Sequence, residues 1–178
     1  MTAVTFFNSR IVAAMALSSS VWAIANAYAG PIFWSATQLP FFCDILGFSS
    51  LILVAWWTKK FGAVSLTGLV ATVINFLVGG NVFFLGFTVA SVAFDVVTRA
   101  VGYGNLFSKP YVGHGLMIFL AAASASVAGF IIGPLFMSMQ VLPGIVTFAG
   151  LHALGGVLGG LVGVSLVKAL KARRVLPA

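Results

Sequence analysis

Residues 41–57 read FFCDILGFSSLILVAWW, and Thr58, Lys59 and Lys60 follow directly. Across this run the only charge is Asp44, near its head. A strand of a membrane barrel would alternate lipid-facing and lumen-facing residues over about ten positions. This run does not alternate. A helix needs about 20 mostly apolar residues to cross the hydrocarbon core. The run therefore reads as a membrane helix that meets water at Lys59, with a carboxylate set just inside its other end.

The rest of the chain fits this reading. Its 178 residues are 61% hydrophobic and 6% charged, and the mean hydropathy is +1.17. Soluble domains carry about 25% charged residues. So few charges cannot cover a water-facing surface, and the length suits one membrane domain. Six apolar segments stand out, at 11–28, 41–57, 62–79, 82–98, 112–135 and 142–167. Turn chemistry separates them: AGP at 29–31, TKKFG at 58–62, GGN at 79–81, VGYGNLFSKP at 101–110 and MQVLPG at 139–144. The expectation is an all-α integral membrane protein with six transmembrane helices in one bundle, spanning residues 1–178.

Charge gives the orientation. Six crossings place all nine basic residues, Arg10, Lys59, Lys60, Arg99, Lys109, Lys168, Lys171, Arg173 and Arg174, on one side. Basic loops mark the cytoplasmic face. Both termini are then expected in the cytoplasm of a multi-pass cell-membrane protein. The net charge of +7 suits anionic lipid at the inner leaflet and does not point to nucleic acid. Arg10, the apolar run after it and ANAYA at 25–29 imitate a cleavable leader, but the run is long for one.

On this topology the polar residues fall into an outer group. Asn26, Asp44 and Asn75 lie near the outer ends of the first three helices. His152 lies about 13 Å into the last helix from Pro143. Gln38, Asn81 and Trp34 lie in or beside outer loops. An ionisable group in a span costs several kcal/mol unless it finds partners or water. The cluster reads either as an outward pocket for a small polar molecule or as interfacial and helix-to-helix hydrogen bonding. In the inner half, Asp95 precedes Arg99 by four residues and can pair with it. His114 reads as a solvated imidazole, and Trp56 and Trp57 as an interfacial aromatic belt.

Small residues mark close helix contacts: Gly155, Gly159 and Gly163 with Gly156 and Gly160 on the last helix, and Ala14, Ala16, Ser18 and Ser20 on the first. Catalysis is not expected. Asp44 and Asp95 lie toward opposite faces, and no HExxH, GxSxG or phosphate-binding GxxxxGK[ST] occurs. The single Cys43 excludes an internal disulfide, and a carboxylate and an imidazole at different depths make a poor metal site. No cofactor is implied. Two classes remain, a solute-binding membrane protein and a non-catalytic structural subunit of a larger complex.

NSRIVAAMALSSS at 8–20, AGPIFWSATQLP at 29–40 and GGNVFFLGFTVASVAFDVV at 79–97 resemble the substrate-binding S components of energy-coupling factor (ECF) transporters. Length, helix number and termini agree across the whole chain. The resemblance implies capture of a vitamin or vitamin precursor from outside, and an acidic group among neutral amides weakly favours a cationic or donor-rich ligand such as a pyrimidine- or thiamine-like molecule. Asn26, Gln38, Asp44, Asn75, Asn81 and His152 would hold the ligand, and Trp34 would stack on it from a loop lidding the pocket. It also implies a transmembrane coupling protein docked on Ala14, Ala16, Ser18 and Ser20, and two ATPase subunits as partners. Serines stand at 18 and 20 where that family more often has alanine.

Overall fold

The computed structural model describes residues 6–175 and residue 177, and no strand occurs among them. The helices are α1 (Ser9–Thr37), α2 (Phe41–Thr58), α3 (Ala63–Leu77), α4 (Phe84–Val101), α5 (Tyr103–Ser108), α6 (Pro110–Phe136) and α7 (Leu142–Ala172). Five of them, α1, α2, α4, α6 and α7, are long and apolar enough to cross a membrane. The chain is thus an all-α, multi-pass membrane protein. The segment expected as the third span is the 15-residue α3, about 22 Å long by helical rise, short of a hydrocarbon core of roughly 30 Å.

The long helices and α3 pack in the order α1–α3–α4–α6–α7–α2, with α2 closing onto α1. The α3–α4 pair is antiparallel: Ser65 meets Asp95, Gly68 faces Ser91, and Thr72 bonds Thr88. The α1–α3 pair is parallel. Ser19 Oγ donates to the Thr67 carbonyl at 3.0 Å, and Asn75 Nδ2 donates to that of Ala23 at 3.3 Å. The basic helix ends gather at one end of the bundle. There Lys60 Nζ donates to the Phe6 carbonyl, and Lys171 Nζ donates to that of Phe107 at 2.7 Å.

Several expectations change. α1 does not break at Ala29–Pro31 but runs on to Thr37, with Pro31 inside it. An interior proline removes one N–H and crowds the carbonyl four residues back, but membrane helices tolerate it where neighbouring groups satisfy the freed backbone. The outer loop is therefore mostly helix, and Trp34 sits on it. The loop at 101–110 contains α5, which buries Tyr103, Leu106 and Phe107. Trp56 is 2% exposed and belongs to the core, not to an interfacial belt. His114 is buried rather than solvated.

Asp95 does not pair with Arg99; among the described residues no salt bridge joins them. Its Oδ2 instead accepts from Gly62 N at 2.9 Å, Ser65 N at 3.0 Å and Ser65 Oγ at 2.7 Å. Asp95 caps the start of α3 from a neighbouring helix, where free N–H groups and the helix dipole favour an anion.

Candidate functional site

Asp44 lies in the first turn of α2 and is fully buried. His152, on α7, is 1% exposed. The two meet: His152 Nδ1 is 3.1 Å from Asp44 Oδ1 and 3.0 Å from Oδ2. This corrects the expectation of different depths. α2 and α7 run parallel, with Gly155 against Asp44, Gly159 against Asp44 and Phe48, and Gly163 against Ser49 and Ile52. α7 thus begins about ten residues, or roughly 15 Å, before the level of the first turn of α2. Depth counted from each helix start misses that offset.

The glycine ridge makes the meeting possible. A Cβ at Gly155 would lie 2.5 Å from Asp44 Oδ2, and one at Gly159 would lie 2.6 Å from the Asp44 carbonyl oxygen. The alternate face of α7 packs as closely on α6, where Gly156 approaches Ala121, Ala122 and Ala125, and Gly160 approaches Ile118. α7 is wedged between α2 and α6 with His152 at the top of its α2-facing row.

Above this pair is a cavity of about 220 Å³. α1 contributes Asn26, Gly30, Pro31 and Trp34, and the start of α2 contributes Pro40 and Cys43. Asn81 and Phe83 come from the α3–α4 connection, Phe84 and Phe87 from α4, Ile132 and Met137 from the α6 end, and Phe148 and His152 from α7. All lie toward the end of the bundle opposite the basic helix ends. Pro31 and Asn81 are exposed at the rim, while Phe84, Phe87 and His152 are buried at the floor. The His152 ring packs edge-to-face on Phe148 at 4.8 Å and Phe87 at 5.6 Å between centroids. Its Nε2 has no partner among the described residues, nor does Asn26 Oδ1.

Asn26, Trp34, Asn81 and His152 line the cavity, and Asp44 stands behind His152. Gln38 and Asn75 are elsewhere. Gln38 is exposed and donates to the Trp34 carbonyl, while Asn75 is buried under the α3–α4 turn, where a Cβ at Gly80 would lie 1.9 Å from its Oδ1. The phenylalanine wall was not anticipated. Phe148 precedes His152 by one helical turn, but nothing in the sequence separates a wall phenylalanine from a core one. On the other half of α1, Ala14 and Ser18 line a smaller cavity of about 110 Å³ with Leu53, Trp56, Trp57 and Leu170. Ala16 is exposed and Ser20 half-buried, both outside it. Among the described residues no group of three His, Cys, Asp or Glu is placed to hold a metal ion.

Comparisons with protein-family models, curated proteins and solved structures find no match.

Proposed function

We propose that this protein is the substrate-capture subunit of an ECF-type uptake transporter. It crosses the cell membrane six times, α3 being the short crossing, with both termini and the basic rim in the cytoplasm. A transmembrane coupling protein meets α1 at Ala14 and Ser18, and two ATPase subunits supply the energy. The chain itself has no phosphate-binding loop.

The observation that carries this reading is the cavity at the cation-free end, whose floor holds a buried imidazole fixed by a buried carboxylate. Such a pair inside a span is costly, which makes it a functional site by default. The cavity lies below the roughly 300–1,000 Å³ of drug-sized sites, which suits a vitamin precursor or a similarly small solute. Its aromatic wall suits a flat ring, with Trp34 near the rim.

Native mass spectrometry of protein purified from cells grown in rich medium tests this. The expected result is one bound small molecule per chain. It should be lost from His152→Ala and weakened in Asp44→Asn, which removes the carboxylate that fixes the imidazole. Wild-type protein that never carries a solute would leave the pair as packing chemistry and favour a structural subunit.

A further inference from the structure

The cavity holds no cation. Its wall contains no Lys or Arg, and the nine basic residues all belong to helix ends or connections at the opposite end. The only acid beside it is Asp44, whose carboxylate meets His152 and no other side chain among the described residues. An ionised carboxylate only accepts. In that state Asp44 holds the hydrogen on His152 Nδ1 and leaves Nε2 as a bare acceptor. A second hydrogen on Nε2 would be a buried donor between Phe87 and Phe148 with no acceptor among the described residues. Asn26 lines the same wall, and its amide oxygen is buried with no partner among the described residues.

We infer that the cavity selects a planar solute that bears N–H donors and no negative charge, such as an amidine or aminopyrimidine edge, and turns away carboxylates and phosphates. This rests on the capture reading above and names the class of molecule captured. Asp44 acts in it as a positioning residue, setting which face of the imidazole chemistry the solute meets.

The test uses benzamidine, benzamide and benzoate, which share one shape and differ in the polar group. Calorimetry on the full chain in lipid nanodiscs should show benzamidine binding tighter than benzoate by roughly tenfold or more, with benzamide between them. Benzoate binding as tightly as benzamidine overturns the inference but leaves a solute cavity. No binding by any of the three overturns the inference, while the capture reading stands or falls with the solute carried by the wild-type protein. A second readout is independent of ligand. The chain has two histidines, so nitrogen-15 histidine spectra with His114→Gln for assignment should show His152 protonated at Nδ1 and bare at Nε2. A doubly protonated ring, or a hydrogen on Nε2 alone, overturns the inference. Asp44→Asn, which keeps the shape but not the obligate acceptor, should shrink the benzamidine preference; an unchanged preference removes the positioning role of Asp44.

Discussion

Asp44 and Asp95 are equally buried, and their partners assign them different work. Asp95 has two backbone donors and a hydroxyl from α3 on one oxygen, and the Tyr103 hydroxyl lies 3.4 Å from the other. Burial first, and then the Asp95 carboxylate, push the Tyr103 hydroxyl up to about 12, so it stays a donor at neutral pH. Asp44 has one imidazole and adjoins a cavity. Asp95→Ala should therefore destabilise the bundle by about 1–3 kcal/mol, since it strands buried N–H groups, and should leave benzamidine affinity unchanged. Chemical denaturation followed by tryptophan fluorescence, with calorimetry alongside, measures both. A loss of affinity without a loss of stability would make Asp95 part of the site. The sequence suggested Arg99 as its partner because a four-residue spacing is visible in one dimension. The start of α3, some thirty residues away, is not. The same blindness applied to Asp44 and His152, which stand 108 residues apart.

At the scale of the helix, α7 shows what pattern can and cannot reveal. Its four-residue glycine spacing was legible, and with it a close helix contact. Which helix it faces was not, because both rows are glycine-rich and each meets a different partner, α2 or α6. α1 was misread in the other direction. Pro31 looked like a stop, although membrane helices tolerate an interior proline and α1 continues to Thr37. The wedge makes a sharp contrast between glycines. At Gly159 a methyl group would press on the Asp44 carbonyl oxygen and on Ile45 Cα at 3.1 Å, which is backbone that cannot turn aside. At Gly150 it would meet nothing within 4 Å. Gly159→Ala should cost roughly 1–3 kcal/mol through overpacking. Gly150→Ala should be neutral or stabilising by up to about 1 kcal/mol, the helix-propensity gain. Melting curves of the two variants in one detergent decide it; equal destabilisation would mean that α7 does not pack as closely on α2 as the structure has it.

For the whole molecule, the basic helix ends lie at one end of the bundle and the cavity at the other. That division was readable from sequence, since it depends only on how many times the chain turns back. It also depends on α3. With α3 crossing, Ser35, Asn81 and Gln140 share the side that bears the cavity, and Lys59 and Lys109 share the other. Without it, the chain from Asn81 onward would change sides and Lys109 would face outward. The sole native thiol, Cys43, lines the cavity, so Cys43→Ala provides a clean background. On it, Ser35→Cys, Asn81→Cys and Gln140→Cys, all at exposed positions, should react with a membrane-impermeant maleimide on intact cells. Lys59→Cys and Lys109→Cys should react only after the cells are permeabilised. Asn81 carries the most information, because it alone follows α3 directly. If Ser35 labels from outside while Asn81 does not, α3 fails to cross and the count is five. If Lys59 labels from outside and Ser35 does not, the cavity faces the cytoplasm, and a protein whose work is to capture solute from outside would have its site on the wrong side of the membrane.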